Sequence, residues 1–280
     1  MLAAPTLDRI AQAAEGFPLF LDQLAWPDLA PLQAKNGGLL IIPLGATEQH
    51  GPHLPIQTDT LLAETACAYA SAKTGVPVAP AIAYTVSAGH TAKWPGTFAI
   101  LHETFLATLR QLAAWASATG WKRLLFVNSH FGNDATLCVA VDQIRLAHLG
   151  ELLVGARNTY ALTPEIRDTF ISDAADLHAN RAETALLLHL APELVHMERL
   201  TTSDDPDRTE DSVFSYPVAQ TSLNGVTGSP SVATAEEGAI LFGQIGEALT
   251  DIVRRATTDE PPLGAEHWES VPRLASSFFA

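Results

Sequence analysis

Leu39-Leu-Ile-Ile-Pro-Leu-Gly-Ala-Thr-Glu-Gln-His-Gly-Pro-His-Leu-Pro-Ile-Gln-Thr-Asp59 runs from an unbroken apolar segment straight into a loop crowded with polar side chains. An apolar run as short as 39–43 suits a strand buried on both faces. Glu48 and His50 stand two residues apart, so extended backbone turns both to the same side. A carboxylate and an imidazole sharing one side, with a second carboxylate at Asp59, make a donor set for a divalent cation. An isolated Glu-x-His is more often a solvated surface pair. Here two prolines and a glycine stiffen the loop, which a solvated turn does not need.

Outward from this stretch the chain alternates helix and strand. Residues 21–33 read as a helix with Pro27 near its start. Thr58-Asp59-Thr60 can cap a helix running over 61–73 and ended by Gly75. Residues 76–82 read as a second strand, short or at an edge because it contains Pro77 and Pro80. A loop over 87–97 leads to a long helix over 103–118. Leu124-Leu-Phe-Val127 is a buried strand, Asn128-Ser-His130-Phe-Gly-Asn133 sits at its carboxyl end, and 134–149 continues as helix. Such a series predicts an α/β fold, a three-layer α/β/α sandwich with a mainly parallel sheet. Ligands gather outside the carboxyl ends of strands in these sheets. Glu48, His50 and His130 all fall at such ends, so they are expected to converge.

A third polar cluster, Asp176-Leu-His178-Ala-Asn-Arg181-Ala-Glu183, opens an apolar helix over 184–190. Glu183 in a first turn is, taken alone, equally well a partner of the helix dipole worth about 0.3–1 kcal/mol. No Gly/Ser tract, charge block or repeat divides the 280 residues, which predicts one domain over 1–256 and a C-terminal tail over 257–280. Acids exceed bases by 31 − 16 = 15, which argues against a nucleic acid or an anionic membrane as partner. No stretch approaches the roughly 18 apolar residues of a bilayer span. The amino-terminal residues lack a basic segment followed by an apolar one, and Cys67 and Cys138 read as reduced thiols; both features predict a cytoplasmic protein.

Together these clusters resemble the creatininase (creatinine amidohydrolase) family of binuclear-metal hydrolases. The resemblance is carried by 43–55 with Thr58-Asp59, by Trp94-Pro-Gly-Thr97, by Asn128-Ser-His-Phe-Gly-Asn133, by His178 with Glu183, and by Gly225-Val-Thr-Gly-Ser-Pro-Ser-Val-Ala-Thr-Ala-Glu236. It implies two divalent ions per chain, Zn and/or Mn, with Fe also compatible. One ion is then held by Glu48, Asp59 and His130, the other by His50, Asp59 and Glu183, with Asp59 bridging. His178 lands on the family's catalytic histidine. The implied reaction is cleavage of the C–N bond of a small linear or cyclic amide by a hydroxide bridging the ions. Other readings are a peptidase of the mycofactocin type, creatinine hydrolysis itself, and a metal-binding scaffold without catalysis. The family also implies a homo-oligomer, commonly a hexamer.

One departure bears on substrate. Creatininase proper carries a Glu two residues after the histidine of the Asn-x-His motif, where this chain has Gly132. The glycine argues against creatinine and predicts open space beside the metals. His90, Trp94, Phe131 and Arg181 are the expected lining of the substrate pocket. His53 is expected to stiffen the loop, and His102, His148, His189, His196 and His267 have no ligand spacing around them. No Arg/Lys cluster near the ligands suits a phosphate ester. The acidic stretch 203–211 reads as an exposed loop, and Phe278-Phe279 in the tail as a segment reaching a neighbouring subunit.

Overall fold

Alternate residues of the central strands divide between two hydrophobic clusters. Leu39, Ile41, Leu125 and Val127 belong to one, and Leu40, Ile42, Leu44, Leu124 and Phe126 to the other. That is the two-residue period of a sheet covered on both faces. A computed structural model describes residues 2–90 and 93–270. It contains three parallel strands in the order β1 (Leu39–Leu44), β2 (Arg123–Asn128) and β3 (Leu153–Asn158), with Leu39 opposite Arg123 and Arg123 opposite Leu153.

The helices, in chain order, are α1 (Ala4–Ala14), α2 (Leu29–Lys35), α3 (Thr58–Thr74), α4 (His102–Ala118), α5 (Asp134–Ala147), α6 (Pro164–Phe170) and α7 (Arg181–Leu190). Two single turns follow, α8 (Met197–Leu200) and α9 (Val218–Thr221), and then α10 (Ala235–Ala256). Phe105 and Leu109 of α4 and Leu137 and Ile144 of α5 cover the Leu40 face. Ile10 of α1, Leu62 of α3, Leu187 of α7 and Leu241 of α10 belong to the cluster on the Leu39 face. The three-layer α/β/α sandwich expected from the sequence is present.

Two local expectations need correction. The strand predicted over 76–82 is reduced to isolated parallel bridges, Ile41 with Val78 and Leu44 with Ile82. Pro77 and Pro80 have no N–H to donate, so the segment pairs only where it can: the Pro77 carbonyl accepts from Ile41 N–H and Ala79 N–H donates to Ile41. The helix predicted over 21–33 begins only at Leu29, after short turns at Leu21–Gln23 and Trp26–Asp28. The chain before it is extended because Leu19 and Leu21 exchange backbone hydrogen bonds with Val78, at 2.9 and 2.8 Å.

The tail from 257 to 270 returns to the amino end of β2, where Arg123 donates to the carbonyl of Asp259 and pairs with Glu260. Phe278-Phe279 lies outside the described residues. Cys67 and Cys138 are both free thiols, and among the described residues no helix is long and apolar enough to cross a membrane.

Candidate metal centre

Three loops at the carboxyl end of the sheet bring the polar clusters together. Glu48 and His50 follow β1. His130 follows β2, and its backbone is clamped by Asn128: the side-chain amide donates to the His130 carbonyl at 2.8 Å and its oxygen accepts from His130 N–H at 3.2 Å. Asn133 donates to the same Asn128 oxygen at 3.0 Å, which explains the asparagines flanking the histidine. Asp59, expected in the cap of α3, lies inside its first turn, and Gln57 is the N-cap. Its carboxylate is thereby freed from capping. Glu183 stands in the first turn of α7 with its two oxygens turned different ways. Oε2 accepts from Asn180 N–H in a capping box at 3.3 Å, and Oε1 stays 3.8 Å from His50 Nε2.

The side chains form two arms about Asp59. His50 Nε2 is 3.4 Å from Asp59 Oδ1, and His130 Nδ1 is 3.1 Å from Asp59 Oδ2 and 3.2 Å from Glu48 Oε1. Glu48, Asp59 and His130 form one set of donors close enough to hold an ion; His50, Asp59 and Glu183 form a second. All five are buried. Glu48 Oε2, Asp59 Oδ2 and His50 Nε2 nevertheless have no hydrogen-bond partner. Buried carboxylate oxygens left without donors are costly, and a divalent cation between them removes that cost. The mixed carboxylate and imidazole set suits Zn, Mn or Fe. The residues therefore fit the two-ion set that the resemblance implies.

Burial pushes His50 and His130 toward neutrality. Asp59 with Glu183 overcomes this at His50, and Glu48 with Asp59 at His130, so both imidazoles are held well above their ordinary range. Burial would raise Asp59, but His50 and His130 hold it far below the usual carboxylate range. His130 Nε2 donates to the Val86 carbonyl at 2.7 Å, which leaves Nδ1 facing Asp59 and Glu48.

His178 joins a third set with Glu48 and His50. Its Nε2 donates to the Gln49 carbonyl at 2.7 Å and its Nδ1 is 3.7 Å from Glu48 Oε1. Burial, reinforced by His90 and His50, keeps it well below the usual imidazole range and neutral. His53 is buried behind the ligands, with Nε2 2.8 Å from Thr184 Oγ1. Burial lowers its pKa to about 3, so it ties the loop to α7 as a neutral ring.

An open cavity of about 410 Å³ lies over this cluster, walled by Phe131, Gly132, Asp176, His178, Tyr216 and Pro217 among others. Of the predicted pocket residues, His90 and Phe131 line it, and Phe131 stacks on Tyr160 with centroids 3.7 Å apart. Trp94 is not in the wall; Lys93 lies over its ring at 4.7 Å. Arg181 is directed away, onto Glu237 of α10. Two residues of helix are about 200°, so with Glu183 facing the cluster Arg181 points to the opposite side. His102, given no role from its spacing, lines the cavity and contacts Thr136 at 2.5 Å.

Gly132 does not open space. A Cβ there would stand 2.5 Å from His130 Nε2 and 3.0 Å from the Val86 carbonyl. The room is taken by the His130 ring and the carbonyl it donates to. The acidic stretch 203–211 is also more than an exposed loop, since Ser203 and Asp205 are buried and Asp207 accepts from the N–H groups of Ala175 and Asp176 beside the cavity. Sequence reasoning missed Gln49 and Tyr216. Neither has a spacing signal, because their partners lie far away in sequence.

The chain matches the creatininase family, described as creatinine amidohydrolase, over residues 22–253. It is 33% identical over 234 residues to the mycofactocin precursor peptide peptidase of Mycolicibacterium smegmatis, covering 80% of this chain and 88% of that one. It is 25% identical over 260 residues to creatinine amidohydrolase of Pseudomonas putida, covering 84% and 96%. A solved creatininase structure superposes with TM-score 0.75 at 24% identity, covering 87% of this chain and 99% of that one. A manganese creatininase gives 0.74 at 24%, covering 86% and 100%.

Proposed function

The chain belongs to the creatininase family, whose relatives hydrolyse carbon–nitrogen bonds, and from that premise we propose that it holds two divalent ions and uses them to cleave an amide. The observation that carries this reading is Asp59, buried between two donor sets with one oxygen toward His50 and the other toward His130 and Glu48. Glu48 and His130 would hold one ion and His50 and Glu183 the other, with Asp59 within reach of both. Manganese or zinc suits the donors, and a relative of the same fold carries manganese. Bound there, the ions supply Lewis acidity toward a carbonyl and lower the pKa of water.

The chain's own residues do the rest. Asn128 and the Val86 carbonyl fix the His130 ring. His53 and the capping box hold α7 so that Glu183 Oε1 faces His50. His178 has its Nε2–H committed to Gln49, so a proton in transit is held at Nδ1, which takes it from water and returns it to the leaving nitrogen. The Phe131 face and the Tyr216–Pro217 edge position the substrate over Glu48.

The substrate is a small linear or cyclic amide. A second reading, hydrolysis of a peptide, is favoured by the identity of 33% to a peptidase against 25% to creatinine amidohydrolase. The test is protein stripped with chelator and reloaded with Mn or Zn, assayed on creatinine, N-methylformamide, a cyclic lactam and a dipeptide amide. Metal-dependent turnover of at least one, with creatinine a poor substrate, is expected; inertness toward all four contradicts the proposal. A cytoplasmic homo-oligomer completes it, and sedimentation of the pure protein as a monomer would remove that part.

A further inference from the structure

Gln49 lies between Glu48 and His50, and its side-chain amide has one allowed orientation. Oε1 accepts from Gly51 N–H at 2.9 Å, and Nε2 donates to the Gly225 carbonyl at 3.2 Å. A backbone N–H only donates and a carbonyl only accepts, so a flipped amide would lose both bonds. The amide is also tightly enclosed: Gly225 has φ +86°, and a Cβ there would stand 2.1 Å from Gln49 Oε1.

The same Nε2 is 3.0 Å from His90 Nδ1. Since Nε2 can only donate, His90 Nδ1 accepts, and the neutral ring carries its hydrogen on Nε2. A ring protonated at both nitrogens would set an Nδ1–H against the Gln49 N–H, so the ring is neutral. His90 Nε2 lies 3.9 Å from Glu48 Oε2, too far for a hydrogen bond, and both residues line the cavity. The His178 ring is 4.2 Å from that of His90. Both rings carry hydrogen on Nε2, but they face the cluster with opposite ends. His178 spends its N–H on the Gln49 carbonyl and presents a bare Nδ1; His90 spends its Nδ1 lone pair on the Gln49 amide and presents an N–H. One residue thus sets an acceptor and a donor side by side.

We propose that His90 is a second catalytic histidine, giving an Nε2–H hydrogen bond to the carbonyl oxygen of an amide bound over Glu48, opposite the acceptor His178. The proposal rests on the amide-hydrolase reading. No proton leaves His90: the hydrogen bond strengthens as charge gathers on the oxygen, and Gln49 is the positioning residue that keeps the hydrogen on Nε2.

Two measurements test it. Nitrogen-15 NMR of histidine-labelled protein, stripped and metal-loaded, should show His90 protonated at Nε2 and bare at Nδ1; the reverse tautomer overturns the proposal. His90→Leu, assayed on whichever of the four amides the wild type hydrolyses fastest, should lose about 10²–10³ in kcat, the usual cost of one such donor. KM and metal content should stay near wild type, and His90→Gln, which keeps an N–H donor, should recover part of the rate. Unchanged kcat in His90→Leu refutes the role, and so does loss of metal, which would make His90 a support for Glu48. A wild type inert toward all four amides refutes the amide reading and this role together, whereas activity that survives His90→Leu refutes this role alone.

Discussion

Two clusters of acids in this chain differ in what their oxygens touch. In the loop 203–211 every buried or bracing carboxylate is saturated. Asp205 accepts from Arg208, Ser222 and the Leu223 N–H, and Asp207 from Thr209, Ala175 and Asp176. At Glu48 and Asp59 the neighbours are imidazoles: Glu48 Oε2 has no hydrogen-bond partner, and Asp59 Oδ2 faces the His130 ring at 3.1 Å. Acid density is similar; satisfaction is not. The saturated cluster braces loops, and the unsatisfied one offers donors close enough to hold a cation.

Asp59→Ala should break that contrast most sharply. Metal analysis is expected to find neither ion retained, since one carboxylate serves both sets, and turnover should vanish. Asp205→Ala should keep both ions and turnover but lower the melting temperature, because its buried partners are left unpaired at about 1–3 kcal/mol.

His178→Ala is expected to retain metal while losing roughly 10²–10⁴ in rate, the usual range for a general acid or base. Metal loss instead would place His178 among the ligands, in the third donor set with Glu48 and His50. Gly132→Ala should act through His130, whose Nε2 the new Cβ meets at 2.5 Å. Titration with Mn is expected to show affinity lower by about 10–100-fold, the usual effect of disturbing a ligand's support.

The smallest effects are in protons. His50 and His130 are held protonated above their ordinary pKa in the metal-free chain. Loading with Mn in weakly buffered solution at pH 7 should therefore release protons, read by an indicator dye. The acidic loop has the opposite dependence. Burial would raise Asp205, but Arg208, Leu223 and Ser222 lower it; Asp207 is likewise lowered, by Thr209 and backbone N–H groups. A depressed carboxylate contributes stability that is present above its unfolded value near 3.8 and is lost as pH falls through the folded one. Asp205→Asn should flatten the acid limb of the stability curve without altering proton release.

The unsatisfied cluster was legible because its signals are local. Glu48 and His50 share a side by the strand period, and both strand ends were marked by apolar runs. The layer order followed from the same runs. What was not legible depends on contacts distant in sequence. Gln49 reaches Gly225 across 176 residues and His90 across 41. Arg181 was expected to face the pocket, and only the position of Glu237 on α10 shows otherwise. Strand β3 has only the short apolar run Leu152-Leu-Val154, which Gly155 and Arg157 interrupt, and none of its residues is fully buried. Gly132 was expected to make room, and only the orientation of the His130 ring shows the space to be filled.

Anomalous diffraction from a crystal of the protein loaded with manganese tests the central claim most directly. Two peaks about 3.5–4 Å apart are expected, one against Glu48 and His130, the other against His50 and Glu183, with Asp59 between them. No peak in that cluster, or a peak held instead by the acids of 203–211, would contradict it.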